Sequence, residues 1–478
     1  MRLKRVAAAA VLMSFVAAAE VASAQCVSSV TQIASRDSQN SLVAGPVAWS
    51  GSMLAIASNQ TRNGSVWAGL YSEDGTLLYP SIKIPSSDDA DILGVFWNGG
   101  HFGIFFRTFD DQLILRRLTT TADLLGTAVH VGKLTVRDDD ELDILYSTRL
   151  NAYVIARMVN APSRALWLTY VNLDGSVRRN VQVNVTPATN SLVRIAETDS
   201  GIIGVWFEAD VSRNLTQVRV EEGERDYIRR VWTPNEDKDL VVTSIDNQFV
   251  LARTFTQGDG RKTIRWKMVD TLGFDTREEA RLLVGTGKDV QPLSMLTRGN
   301  ELAITYLDAR DGFASQTPSF RLRRFDPVSG EAISDTYFAA ADRARHRAAS
   351  EHDFVWTGTA YAAVTVRETD DGDDSFLMRL CPLDADVIGP QQVPVGQTLT
   401  LTAEGRGGVP VYNYRWRINE RGDVVEGAQL QLRYTTPGTY QVSVSVTDDT
   451  DTVVQKTFTI VVYEPTPQTP PKRRSVRK

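Results

Sequence analysis

A unit of about fifty residues recurs along the chain, and this repeat limits the possible folds more than any other feature. Each copy contains an apolar stretch, a tight polar turn that often includes glycine, and a second, alternating apolar stretch. The seven copies read PVAWSGSMLAIAS from Pro46, ILGVFWNGGHFGIFF from Ile92, DILYSTRLNAYVIAR from Asp143, RIAETDSGIIGVWF from Arg194, VVTSIDNQFVLARTF from Val241, PLSMLTRGNELAITYL from Pro292 and DFVWTGTAYAAVTV from Asp353. A third stretch follows every copy, and a fourth follows six of them.

The alternation of apolar and polar residues has a period of two, which is typical of β-strands. Turn pairs such as Asp74-Gly75, Asp174-Gly175 and Ser329-Gly330 separate the strands and indicate antiparallel hairpins. Four such strands in each of seven copies predict an all-β fold, a seven-bladed β-propeller. Independent β-sandwiches would need about 100 residues for each unit.

The two ends of the repeat region are predicted to meet. The seventh copy stops after its third strand at Leu380-Cys381, and the segment CVSSVTQIASRD from Cys26 is a lone strand without a blade. We therefore expect this N-terminal strand to complete the seventh blade and to bring Cys26 beside Cys381. These are the two cysteines of the chain, and one disulfide is the simplest expectation for an exported protein. Two unrelated free thiols are the alternative.

The first 24 residues have the features of a secretory signal peptide: the basic residues Arg2, Lys4 and Arg5, an apolar run over residues 6–19, and Ala22-Ser23-Ala24 as a cleavage signature. The apolar run is shorter than the roughly 20 residues that a spanning helix needs. Export to the periplasm, the outer surface or the medium is therefore predicted. Lipidation of Cys26 is an alternative, but Gln25 stands where a small residue would be expected.

The fifty-residue period ends near Pro390. The segment that follows contains six or seven short alternating stretches, the pattern of an Ig-like β-sandwich. YRWRI around Trp416 and PGTYQVSVSVTD from Pro437 resemble the core tryptophan and the Pro-Gly-x-Tyr-x-Val strand of PKD domains. RINERGD departs from the Gly-Asp-Gly turn usual in that family. The resemblance implies a spacer, or a module for protein or carbohydrate contacts.

We therefore predict four segments: the signal peptide (1–24), the propeller closed by the N-terminal strand (25–386), the PKD-like sandwich (387–464) and a disordered, Pro-rich and basic tail (465–478). Without the signal peptide the formal net charge of −6 becomes −8. No basic face is evident outside the tail, which argues against a nucleic-acid partner. His346 and His352 lack an obvious third partner for a metal site, and no catalytic motif occurs in a credible context.

Acidic clusters precede several of the predicted inner strands, which begin at Asp91, Asp143, Asp239 and Asp353. In a propeller these connections share one face with the loops between second and third strands. Such a face is suited to Ca²⁺ or to a basic partner, whereas the simpler interpretation is that acidic residues keep loops and strand edges soluble. A long loop with Asp308, Arg310 and Asp311 is a candidate binding element.

These observations predict an exported, non-catalytic binding or scaffold protein that makes protein or glycan contacts at the cell envelope. No cofactor is expected apart from Ca²⁺ as a candidate, and the oligomeric state is left open. Two alternatives remain. A glycan-active hydrolase or lyase would need carboxylates, or a carboxylate with Tyr or His, about 5 to 10 Å apart in the propeller channel. A structural part of an envelope assembly would need an apolar patch of several hundred Å² on its outside.

Overall fold

The computed structural model describes residues 29–34, 42–60, 64–85, 87–134, 142–159, 164–183, 187, 192–209, 214–221, 224–232, 239–276, 280–282, 289–299, 301–309, 319–337, 345–348, 354–369, 372–408, 410–418, 422–449 and 452–465. Every secondary-structure element assigned in these ranges is a β-strand, which confirms the predicted all-β class. The predicted signal peptide, Cys26 and the residues after 465 lie outside the described residues.

The described residues of the first part of the chain form seven sheets, which we number in chain order. Sheets 1 to 3 consist of β2 (Leu42–Trp49), β3 (Leu54–Gln60), β4 (Val66–Tyr71) and β5 (Leu77–Lys83); β6 (Asp91–Trp97), β7 (Phe102–Arg107), β8 (Gln112–Leu118) and β9 (Val129–Lys133); and β10 (Leu142–Ser147), β11 (Ala152–Val159), β12 (Ala165–Asn172) and β13 (Val177–Val183). Sheets 4 to 6 consist of β14 (Val193–Glu197), β15 (Ile203–Ala209), β16 (Asn214–Glu221) and β17 (Glu224–Trp232); β18 (Leu240–Ile245), β19 (Gln248–Thr256), β20 (Lys262–Asp270) and β21 (Ala280–Leu282); and β22 (Asp289–Arg298), β23 (Glu301–Ala309), β24 (Ser319–Phe325) and β25 (Ala332–Tyr337). Sheet 7 contains β26 (Arg345–Ala348), β27 (Phe354–Trp356), β28 (Tyr361–Thr369), β29 (Gly372–Leu380) and β1 (Ser29–Ala34).

Within sheets 1 to 6 each strand pairs antiparallel with the next one along the chain, as short turns require. One edge of each sheet is formed by β2, β6, β10, β14, β18, β22 and, in sheet 7, by β27, which shares this edge of β28 with β26. We call these seven strands the inner strands. Each inner strand contacts the inner strand of the following sheet, and β27 contacts β2. The sheets therefore follow one another in a cyclic, propeller-like arrangement.

The hydrophobic core lies between consecutive sheets. Seven clusters of buried residues each join two neighbouring sheets. The cluster between sheets 7 and 1 packs Val364 and Leu377 against Val47 and Ile56. Both faces of a sheet are thus covered by its neighbours, which explains why β7 and β11 are almost continuously apolar.

In sheet 7 the outer position beside β29 is occupied by β1, from the other end of the chain. Ser29 pairs with Arg379 and Gln32 pairs with Phe376. The hydroxyl of Thr31 also donates a hydrogen bond to the carbonyl oxygen of Asp74 in sheet 1, at 3.2 Å. The strand is therefore held both by its own sheet and by the next one.

The C-terminal part forms a two-sheet sandwich. One sheet contains β30 (Asp384–Ile388), β32 (Thr398–Arg406) and β35 (Gln429–Arg433), and the other contains β31 (Gln392–Pro394), β37 (Val453–Tyr463), β36 (Gly438–Thr447), β33 (Asn413–Ile418) and β34 (Asp423–Glu426). Trp416 lies fully buried in the core between the two sheets, and its indole N–H donates to the carbonyl oxygen of Gly427 at 2.9 Å. This confirms the predicted sandwich.

The sandwich contacts the preceding sheets through the segment that joins them. The backbone N–H of Gly408 donates to the carbonyl oxygen of Cys381 at 2.7 Å, and the Arg324 guanidinium lies 3.5 Å from the carbonyl oxygen of Leu383. Gly407 has a φ of +67°, and a Cβ there would lie 2.1 Å from the carbonyl oxygen of Pro382. A residue other than glycine would therefore not fit at this contact.

Candidate functional site

A cavity of about 640 Å³ lies where the seven inner strands meet. Each inner strand supplies three or four lining residues, so the whole ring of sheets contributes to the wall. Concave sites of this size, with apolar walls and a few polar groups, are the usual form of small-ligand sites.

One end of the cavity is aromatic. Four consecutive inner strands around the ring, those of sheets 7, 1, 2 and 3, each place an aromatic residue in the lining. These residues are Trp356, Trp49, Trp97 and Tyr146, and each is the last or penultimate residue of its strand. All four side chains are half-buried. Trp97 packs on Phe102 and Trp356 packs on Tyr361, each with ring centroids 4.8 Å apart. We call these four residues the aromatic arc: at least two of its rings rest on the core, and all four residues line the cavity.

Polar residues occupy the corresponding positions of sheets 4, 5 and 6, and we call Glu197, Ser244 and Thr297 the polar arc. The hydroxyl of Thr297 donates to the carbonyl oxygen of Ser244 at 2.7 Å, and that of Ser244 donates to the carbonyl oxygen of Glu197 at 2.6 Å. The hydroxyl of Ser147 donates to Oε1 of Glu197 at 2.5 Å. These bonds join neighbouring inner strands. The hydroxyl protons of Thr297, Ser244 and Ser147 are therefore bound by acceptors within the protein.

Two ionisable groups at this end of the cavity, Glu197 and Tyr146, have raised pKa values. Burial raises the pKa of the Glu197 carboxyl, although the Ser147 hydrogen bond, the backbone of Thr148 and the charge of Arg149 act in the opposite direction. Burial also raises the pKa of Tyr146, and the nearby charge of Glu197 raises it further. The Tyr146 hydroxyl is within hydrogen-bond distance of the carbonyl oxygen of Asn98 (3.2 Å) and of Oδ1 of Asn151 (2.9 Å).

Two further charged residues line the cavity, but they serve the backbone. Asp143 is buried, and its carboxylate accepts hydrogen bonds from the N–H groups of Ile144 at 2.7 Å and Ile195 at 2.9 Å. The Arg194 guanidinium donates to the carbonyl oxygens of Leu240 at 2.8 Å and Val193 at 2.7 Å. Asp143 thus bridges sheets 3 and 4, and Arg194 bridges sheets 4 and 5.

The predicted acidic residues lie at the other end of the inner strands. Asp91 begins β6 and forms an ion pair with Arg107 at 2.7 Å. Asp239 directly precedes β18 and accepts from the backbone N–H and the hydroxyl of Thr254. Asp353 lies outside the described residues. Among the residues that the structure describes, no three His, Cys, Asp or Glu side chains form a group suited to a metal ion, so the Ca²⁺ site stays a prediction.

The predicted binding loop is described only at its first residues. Asp308 lies in β23, is buried, and its Oδ2 is 3.4 Å from Nε of Arg321. Arg310 and Asp311 lie outside the described residues. Cys381 is fully buried at the end of β29, while its predicted partner Cys26 is outside the described part of the chain.

The sequence analysis did not predict the aromatic arc. It directed attention to the acidic connections, because charge is conspicuous in a sequence. The available signal was the tryptophan before the first turn of three copies, in AWSG, FWNGG and VWTG. Only the ring of inner strands brings these three positions to one cavity.

Residues 382–462 match the PKD domain family. Among curated protein sequences, none matches this chain. Solved structures with a similar arrangement include AofleA from Arthrobotrys oligospora (9% identity, TM-score 0.39, covering 62% of this chain and 86% of that one). A prolyl endopeptidase (11%, 0.46, 78% and 54%) and prolyl oligopeptidase B from Galerina marginata (11%, 0.40, 78% and 48%) are also similar. This chain spans about half the length of both peptidases. At these identities, the activities of the three proteins are not transferred to it.

The described part of the chain contains no helix that is long and apolar enough to cross a membrane.

Proposed function

We propose that this protein is an exported, non-catalytic binding protein. It is a seven-bladed propeller closed by its N-terminal strand and by a Cys26–Cys381 disulfide. Its ligand enters the central cavity at the aromatic arc, and the PKD module makes further protein or carbohydrate contacts at the cell envelope. The observation that carries this proposal is the cavity of about 640 Å³, whose wall receives residues from all seven inner strands.

Three features support a binding role. The wall is rigid, because hydrophobic clusters lock every sheet to its neighbours. The arc exposes tryptophan and tyrosine side chains, which give much contact area for little loss of rotamer freedom. The charged pair deeper in the cavity, Asp143 and Arg194, bonds to backbone groups and is therefore occupied in holding the strands.

The proposal is tested by probing glycan and peptide arrays with the labelled mature protein. We expect discrete binding that is lost in the Trp49→Leu/Trp97→Leu variant, because both indoles line the cavity. Phe109→Leu is the matched control: Phe109 is 78% exposed and lies outside the cavity. Thermal unfolding of each variant shows whether it folds. Binding that survives the loss of both indoles would place the ligand surface elsewhere, for example on the PKD module.

A glycan-active enzyme is the second candidate, and one observation favours it. Glu197 and Tyr146 lie on neighbouring inner strands, close enough for the carboxylate to influence the pKa of the phenol. A carboxyl group with a raised pKa is a suitable general acid. Mass spectrometry of any bound glycan after prolonged incubation distinguishes the two functions. Cleavage products that disappear in Glu197→Gln would establish the enzyme, whereas recovery of intact ligand supports the binding protein.

A further inference from the structure

The aromatic end of the cavity favours one class of ligand. Four aromatic residues line it over sheets 7, 1, 2 and 3, and Glu197 follows in sheet 4. Aromatic faces carry negative electrostatic potential and attract cations within about 6 Å of the ring centroid. A half-buried carboxylate adds a full negative charge beside them.

Four hydroxyl groups around this end, by contrast, already have acceptors within the protein. The hydroxyl protons of Ser147, Ser244 and Thr297 are directed to oxygen atoms of Glu197 and Ser244. The Tyr146 hydroxyl has two acceptors of its own in Asn98 and Asn151. A ligand at this end therefore meets π faces and oxygen acceptors, which match a positively charged group better than an anion or another acceptor.

The protein itself places a cation on one wall of the arc. The guanidinium carbon of Arg298, the last residue of β22, lies 3.9 Å from the centroid of the Trp356 ring. This contact shows that a flat cation fits over a tryptophan of the arc. It also leaves Trp49, Trp97 and Tyr146 as the walls for a ligand.

Two arginine side chains near the site, Arg149 and Arg194, donate hydrogen bonds to backbone carbonyl oxygens. Arg149 lies on the turn after β10, where its guanidinium donates to the carbonyl oxygens of Ser200 at 3.3 Å and Gly201 at 3.2 Å. Arg194 is buried and bonded to backbone carbonyl oxygens, and Asp143 on the neighbouring inner strand carries the opposite charge. The Glu197 carboxylate accepts a hydrogen bond from the Ser147 hydroxyl, which carries no charge.

We infer that the aromatic arc binds an organic cation with an apolar body, of the quaternary ammonium class, between Trp49, Trp97 and Tyr146, with Glu197 as the counter-charge. This inference rests on the proposed function and names the ligand class of the same cavity. The apolar body of such a cation is not strongly hydrated, so its burial against indole rings adds to the electrostatic attraction.

Calorimetric titration of the full mature protein tests the inference with two probes. Choline carries the quaternary ammonium group, and 3,3-dimethylbutan-1-ol has the same shape with a neutral carbon in place of nitrogen. We expect choline to bind roughly tenfold or more tightly than the alcohol, as one or two cation–π contacts allow. Glu197→Gln should weaken choline far more than the alcohol, because only choline carries a charge that the carboxylate attracts. Trp97→Phe makes one ring of the wall smaller and should weaken both probes. Phe109→Leu should change neither affinity.

The outcomes separate this inference from the proposed function. Equal affinity for the two probes, or choline binding that is unchanged in Glu197→Gln, would overturn the cation assignment. If neither probe binds but array ligands still require Trp49 and Trp97, the inference fails and the proposed function stands. If neither probe binds and the array signal ignores both tryptophans, both fail.

Discussion

At the scale of single residues, a buried charged network joins sheets 6 and 7. The Arg324 guanidinium contacts both oxygens of Glu301, with Nε–Oε1 at 2.7 Å and Nη2–Oε2 at 2.8 Å, and the Tyr361 hydroxyl also donates to Oε1. The side chains of Arg324 and Glu301 are only 8% and 13% exposed. Bidentate pairs of this kind are strong, but each partner depends on the other.

We predict that Arg324→Met destabilises the protein by about 3–5 kcal/mol at pH 7, because it leaves the Glu301 carboxylate buried without its partner. Burial raises the pKa of Glu301, but the hydrogen bonds and charge of Arg324 outweigh it and bring the net pKa below its ordinary value. The stabilisation is therefore complete above the unfolded pKa of about 4.3 and is lost as the pH falls through the lower folded value.

Urea unfolding of wild type and variant between pH 7 and pH 3.5 measures this effect. The difference in unfolding free energy should be largest at neutral pH and should narrow in acid, where Glu301 is protonated in the variant. Arg406→Met is the control, because the pair of Arg406 with Asp386 is exposed and is worth about 0–1 kcal/mol. A difference that stays constant over this pH range would show that lost packing, not charge, is responsible.

At the scale of strands and turns, the turn between the third and fourth strands of sheets 1 and 3 fits against the outer strand of the preceding sheet. In sheet 3 this turn is closed by the hydrogen bond from Gly175 N–H to the Asn172 carbonyl oxygen at 2.8 Å. A Cβ on Gly175 would lie 2.7 Å from Cβ of Val129 in β9. In sheet 1 the equivalent Gly75 faces Thr31 of β1, so β1 occupies in sheet 7 the place that β9 has in sheet 2.

We predict that Gly175→Ala costs more than Gly99→Ala, although φ is nearly the same at the two positions, +91° and +90°. Both substitutions impose about 1–2 kcal/mol of strain on the left-handed backbone. Only the alanine at 175 meets a neighbouring sheet, which adds about 1–3 kcal/mol of overpacking, because Gly99 has open space around it. Chemical unfolding of both variants, and of Gly175→Ala/Val129→Ala, checks the contact; equal losses at 175 and 99 would contradict it.

The strands and their turns could be predicted because both depend on local sequence: alternation predicts a strand, and Asp-Gly predicts a tight turn. The same local information could not show that Asp143 would accept hydrogen bonds from Ile144 and Ile195, since the second of these lies in another sheet. An aspartate that starts a strand reads as a candidate ligand, whereas its carboxylate here satisfies backbone donors inside the ring.

At the scale of the whole molecule, the candidate site exists only because the inner strands form a ring. Trp49 and Trp356 are neighbours around the cavity although most of the chain separates them in sequence. The repeat in the sequence aligns the two tryptophans, but it does not show which end of the inner strands lines a cavity. A repeat therefore predicts well which residues occupy the same position in each sheet, but it predicts poorly which of these positions contact a ligand.

The closure of the ring gives the last prediction. Sheet 7 is built from both ends of the first part of the chain, and the β1–β29 pairing continues to Ser29 and Arg379, two residues before Cys381. Three residue steps connect Cys26 to Ser29, a reach of at most about 10 Å. We therefore predict a Cys26–Cys381 disulfide. On the chain-entropy model, a cross-link over so long a loop contributes about 4–5 kcal/mol.

Alkylation of the unreduced protein in denaturant, followed by mass spectrometry, should find no reactive thiol, and reduction should release two. Cys26→Ser should lower the unfolding free energy by an amount similar to reduction of the wild type, since it removes the cross-link and leaves the buried Cys381 side chain in place. A reductant should then have no further effect on this variant. Two alkylated cysteines in the unreduced, denatured protein would instead mean that strand pairing and the cluster between sheets 7 and 1 alone close the ring.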